Sequence, residues 1–104
     1  MQVIEDRKQR MPEHSYTTQL FQGGTGKIAD KLLEETEELI EAANETEGDP
    51  RHSMIHEAAD LIYHLFVMLA HRDVRLADVE AELARRFGIS GLDEKAARSS
   101  QRQP

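Results

Sequence analysis

Apolar residues recur at helical spacing along most of this chain, and the rhythm stops where glycine and proline fall. Val3, Ile4 and Met11 predict a short N-terminal helix that ends near Pro12, and Ser15 is placed to cap a short turn carrying Tyr16, Leu20 and Phe21. Gly23-Gly24-Thr25-Gly26 then interrupts the pattern. From about Lys27 to Glu45, Ile28, Leu32, Leu39 and Ala43 return at helical spacing, with Leu33 and Ile40 alongside and acidic residues on the remaining arc. This predicts an amphipathic helix of about five turns.

Gly48-Asp49-Pro50 marks a turn, and Pro50 suits the first turn of a following helix that should run to about His71. Ile55, Leu61, Ile62, Leu65, Phe66, Val67, Met68 and Leu69 make that helix apolar nearly all round, so it must be covered on every side. A last helix, about Leu76 to Phe87, carries Leu76, Val79, Leu83 and Phe87 on one narrow face. The expected fold is all-α, a small bundle of about four to five helices over residues 1–98, with a disordered polar tail at 99–104. So few helices leave a central one partly bare. A homodimer would supply the missing sides; the alternative is a monomer whose N-terminal helix folds back as the cover.

Charge changes this picture at one place. The chain of 104 residues has a net charge of −7, and residues 30–47 hold eight carboxylates against Lys31 alone, while the remainder is balanced. A basic face for nucleic acid or an anionic membrane is therefore not expected, and a cation is the more natural partner. The absence of cysteine removes disulfides, thiolate metal sites and cysteine nucleophiles, and with no signal-peptide pattern at Met1 to Lys8 it points to the cytoplasm.

Within the apolar helix, Glu57, Asp60 and His64 share one edge at spacings of three and four. On a helix covered on every side these carboxylates are expected to be buried, where they must share a proton, meet cations or bind a metal, and neither Lys nor Arg occurs between Arg51 and Arg72. Glu35 and Glu38 form a matching pair on the acidic helix, with Glu34 and Glu41 on the same side. Antiparallel packing through the Gly48-Asp49-Pro50 turn would bring Glu35, Glu38, Glu57 and Asp60 together as an all-oxygen site suited to Mg²⁺ or Mn²⁺. For the other glutamates of the stretch a solvated face is the simpler reading. His64 could orient a carboxylate, touch substrate, or serve as a hydrogen-bonded core residue.

His56-Glu57-Ala-Ala-Asp60 departs from the zinc-protease pattern at its last position, which leaves His56 as an ordinary helix residue. Gly26-Lys27-Ile28 lacks the hydroxyl residue and glycine spacing of a P-loop. Its glycine-rich approach to a helix could still hold phosphate, with Lys27 and Lys31 near the glutamates, although Lys31 could equally pair with Glu34 or Glu35.

Glu34-Glu35-Thr36-Glu37-Glu38 followed by Glu57-Ala-Ala-Asp60 resembles the paired acidic motifs of the all-α MazG-type nucleoside-triphosphate pyrophosphohydrolases. Ser15-Tyr16-Thr17, Lys27-Ile28, Glu57 to His64 and Ser90 to Ala96 are similar to segments of one branch, the phosphoribosyl-ATP pyrophosphohydrolase family of histidine biosynthesis. That resemblance implies Mg²⁺-dependent hydrolysis of phosphoribosyl-ATP to phosphoribosyl-AMP and pyrophosphate by a cytoplasmic homodimer. By position it implies Glu35, Glu38, Glu57 and Asp60 as metal ligands. Glu34 would be a further ligand or orient the attacking water, and Lys27, Lys31 and His64 are the candidates for substrate contact. Leu33 departs from the small residue expected before the glutamate pair. The competing expectations are a house-cleaning pyrophosphohydrolase of non-canonical nucleoside triphosphates and a non-enzymatic helical dimerisation module.

Overall fold

A computed structural model of the chain describes residues 1–88. The described residues form four helices: α1 (Gln2–Arg10), α2 (Tyr16–Ala43), α3 (Pro50–His71) and α4 (Leu76–Phe87). Met1–Val74 is one compact unit holding α1 to α3, and α4 belongs to a second unit that begins at Arg75. The segment 90–96 and the tail 99–104 lie outside the described residues.

Capping sets the boundaries where the sequence placed them. Ser15 has extended backbone and its hydroxyl accepts from the Thr18 N–H at 3.3 Å, while Asp49 accepts from the His52 N–H ahead of Pro50. At the end of α1, Met11 adopts the left-handed conformation and its N–H donates to the Arg7 carbonyl at 2.8 Å.

The glycine-rich stretch differs from expectation. No loop separates a short turn from the acidic helix; helical segments meet at the single residue Gly24, whose φ of 76° and ψ of −170° are open essentially to glycine alone. The chain doubles back there. Tyr16 and Glu35 both reach His64, at 2.9 and 3.4 Å, although a straight helix would hold residues 19 positions apart about 28 Å from each other. The segment before Gly24 therefore lies back along the segment after it.

The core is small and comes from three helices: Ile4 of α1, Leu20, Phe21 and Ile28 of α2, and Val67 and Ala70 of α3. α3 runs antiparallel to the acidic segment of α2, since His71 meets Thr25 at one end and Glu57 meets Glu38 at the other. α1 does fold back as a cover. Lys8 fixes it by donating to the carbonyls of Ala70 at 2.7 Å and His71 at 3.2 Å and pairing with Asp73 at 2.6 Å, a cation at a helix C-terminus. The cover is incomplete: Ile40, Ile55, Ile62 and Leu65 stay exposed on α2 and α3. α4 carries its apolar stripe as expected, with Glu82 paired to Arg85 and Arg86 on another side.

Because Gly24 needs its backbone conformation rather than space, Gly24→Ala should lower unfolding stability by about 1–3 kcal/mol. Gly26→Ala, also open to a methyl group and without positive φ, should be neutral or stabilising by up to about 1 kcal/mol. Urea denaturation of both variants checks the contrast.

Candidate active site

The site lies where the acidic edge of α2 faces the first half of α3. Carboxylate oxygens of Glu35, Glu38 and Glu57 come within 4.8 Å of one another. Asp60 does not complete this trio at that distance. It lies with Glu57 and His56 in a second group of the same tightness, so Glu57 belongs to both. His56 Nε2 is 3.6 Å from Glu57 and 3.5 Å from Asp60. His56 thus joins the cluster edge; the signal was its four-residue spacing to Asp60, which puts both on one face of α3.

Burial is distributed differently from the expectation. The side chains of Glu57 and Asp60 are 14% and 42% exposed, so neither is fully withdrawn from water, whereas Glu35 on the acidic helix is the buried carboxylate, at 6%. The reason is geometric. Glu35 points from α2 into the seam with α3, beside buried His64, while Glu57 lines an open cleft at the outer edge of that seam. The cleft holds about 480 Å³ and is lined by Glu38 and Glu41 from α2, Glu45 just beyond its end, and His52, His56 and Glu57 from α3.

The charges are only partly answered. Burial pushes the Glu35 carboxyl up from its ordinary value, and Asp60 and Glu38 add to the shift. Glu38 is raised chiefly because it shares a hydrogen bond with Glu57. Lys31 is engaged elsewhere: it pairs with Glu34 at 3.0 Å, and that bond holds the Glu34 carboxyl low. A set of hard oxygen donors that must share protons when alone fits a divalent cation, which would take the place of the shared proton. The residues present therefore suit a metal ion.

The remaining candidates fall at different depths. Lys27 is exposed and its stem crosses Gly23, where a Cβ would run into it. Glu34 is exposed at the rim. His64 is 4% exposed and hydrogen-bonds with Tyr16, a residue whose sequence pattern marks it as part of the turn after Ser15 and gives it no role in the site. Leu33 is 67% exposed and packs into no core.

A family model described as phosphoribosyl-ATP pyrophosphohydrolase matches residues 1–87. Among curated proteins, the chain is 50% identical over 102 residues to a phosphoribosyl-ATP pyrophosphatase of Rhodopirellula baltica, covering 98% of this chain and 85% of the relative. It is 52% identical over 96 residues to the protein of that name from Rhodobacter capsulatus, covering 92% and 90%. For the Geobacter sulfurreducens protein the identity is 48% over 98 residues, covering 94% and 88%.

The raised carboxyls carry a pH signature. A native carboxyl pKa above the unfolded value means that the native state holds its proton longer, so stability falls as pH rises from the ordinary 4.5 through the native value. In chelator-treated protein, Glu35→Gln should therefore be more stable than wild type near neutral pH and lose that advantage as the pH falls toward 4.5. Thermal melts of both proteins across that range test this, and a gap that does not depend on pH would contradict it.

Proposed function

Because the chain belongs to the phosphoribosyl-ATP pyrophosphohydrolase family, we propose that it hydrolyses phosphoribosyl-ATP to phosphoribosyl-AMP and pyrophosphate in histidine biosynthesis. The observation that carries this reading is the meeting of Glu35, Glu38 and Glu57 from antiparallel helices, in a chain matched to that family over residues 1–87. Glu35, Glu38, Glu57 and Asp60 would hold Mg²⁺ or Mn²⁺, with Asp60 entering through its neighbour Glu57. Bound there, the ion offsets phosphate charge and lowers the pKa of a coordinated water.

The chain's own groups do the rest. Water adds across the phosphoanhydride, one P–O bond forming as another breaks, so no covalent nucleophile is needed. Glu34 at the rim either adds a ligand or takes a hydrogen bond from the incoming water. Lys31, one helical turn away, can leave Glu34 for a phosphate oxygen, and exposed Lys27 is placed for another. Pyrophosphate release should be faster from phosphoribosyl-ATP than from any member of a nucleoside-triphosphate panel, and Glu57→Gln should lower kcat on the order of 100-fold or more. Preference for free triphosphates would support the house-cleaning reading instead, and no metal-dependent turnover at all would support the non-enzymatic module.

We assign the working form as a cytoplasmic homodimer. No described helix is long and apolar enough to cross a membrane, and a cysteine-free chain suits a reducing compartment. Support for the dimer comes from the uncovered apolar surface: Ile55 and Ile62 are 53% and 49% exposed, and a groove of about 660 Å³ runs between Leu39 and Ala43 of α2 and Met54, Ile55 and Ala58 of α3. Ile62→Glu should shift the sedimentation coefficient from dimer to monomer at micromolar concentration. A wild-type protein that sediments as a monomer there would refute the assignment.

A further inference from the structure

His64 is too deeply placed to meet a substrate, yet its ring makes more directed contacts than core packing requires. Nδ1 faces the Asp60 carbonyl at 2.9 Å and a Glu35 carboxylate oxygen at 3.4 Å. Both are acceptors, so in the neutral ring Nδ1 carries the hydrogen, a tautomer assigned from these partners. Nε2 is then the acceptor, and the Tyr16 hydroxyl donates to it at 2.9 Å.

The ring has little freedom to turn. Tyr16 and Tyr63 meet it edge-on, with centroids 5.8 and 5.0 Å away and interplanar angles of 88° and 79°. The Asp60 carbonyl lies one turn back on the same helix, which fixes the ring to α3. A histidine held in this way turns its Nδ1 edge to one side, where the Asp60 carbonyl accepts the hydrogen bond and a Glu35 oxygen lies 3.4 Å from the same nitrogen.

We propose that Tyr16 and His64 are positioning residues for the carboxylate cluster: the Tyr16 hydroxyl and the Asp60 carbonyl fix the His64 ring, and its Nδ1 edge, 3.4 Å from a Glu35 oxygen, holds that carboxylate electrostatically in the orientation from which it serves a cation. The proposal rests on reading Glu35, Glu38 and Glu57 as metal ligands. Its physical basis is that a buried carboxylate on a flexible stem loses affinity for a cation each time it must be reoriented, and outer hydrogen bonds remove that cost. It also gives the reversal at Gly24 a role. The segment that carries Tyr16 reaches His64 only because the chain doubles back there.

Tyr16→Phe is the direct test, since it removes one hydroxyl and keeps the ring against Tyr63, 6.2 Å away. The readout is the Mn²⁺ dissociation constant of the metal-free protein, from the electron paramagnetic resonance signal of free Mn²⁺. Tyr16→Phe should raise it about 10-fold or more, within the range expected when a ligand loses its outer partner. His64→Leu should weaken binding at least as much, and His64→Gln, which keeps an N–H donor, should recover part of the loss. Thr17→Val is the control: it removes the neighbouring hydroxyl contact to Tyr63 without touching His64, and should leave the constant unchanged.

Should His64→Leu fail to fold, Tyr16→Phe and Thr17→Val still decide. An unchanged constant in Tyr16→Phe overturns the proposal, and so does an equal rise in Thr17→Val, which would mean general loosening of the segment. A wild-type protein that does not bind Mn²⁺ overturns the metal reading itself and this proposal with it, an outcome separate from binding that ignores Tyr16.

Discussion

A carboxylate withdrawn from water needs a partner, and the seam between α2 and α3 is organised around that need at Glu35. Packing Leu20, Ile28 and Val67 into a common core brings the helices together and carries Glu35 out of solvent with them. What it meets there is another set of acceptors, Glu38, Glu57 and Asp60, together with one imidazole. Burial, with Asp60 and Glu38 beside it, raises Glu35, and a hydrogen bond to Glu57 raises Glu38. The same packing that makes the fold therefore crowds carboxylates together, and a divalent cation is our proposed answer to them.

The apolar surface tells a related story at larger scale. Within Met1–Val74, α1 and α2 do not surround α3, and α1 covers only one sector of it, held by the Lys8 ammonium on the last carbonyls of α3. The exposed isoleucines and the groove beside Met54 lie on a separate sector. Burial and electrostatics are each left unfinished within one chain. A cation answers the second, and a second copy is our answer to the first.

Helix identity and order were legible in the sequence because they rest on local rules: the Ser15 and Asp49 caps, Pro50 at a first turn, and apolar spacing along each helix. The pairing of the acidic edges was legible for the same reason, since Glu35 with Glu38 and Glu57 with Asp60 are single-turn neighbours. What could not be read was depth. Whether Glu35 or Glu57 is the buried member depends on the rotation of each helix about its axis, which is set by side chains tens of positions away. The glycine stretch reads in the sequence only as a break, because composition shows that glycine permits many conformations, not that Gly24 alone takes the unusual one and returns Tyr16 to His64.

That return explains why a short N-terminal segment matters to a site built mostly from α2 and α3. Tyr16 is partly exposed, yet its hydroxyl reaches the buried His64 ring, which in turn lies beside Glu35. The hydrogen bonds that fix His64 belong to the fold, and the Glu35 and Glu38 carboxyls beside it are raised above their ordinary values, so stability and the proposed cation binding would be coupled here. A cluster free to relax would be more stable alone and worse organised for a cation. On the proposal above, the buried histidine acts against relaxation, and its position between Glu35 and Tyr16 suits that task.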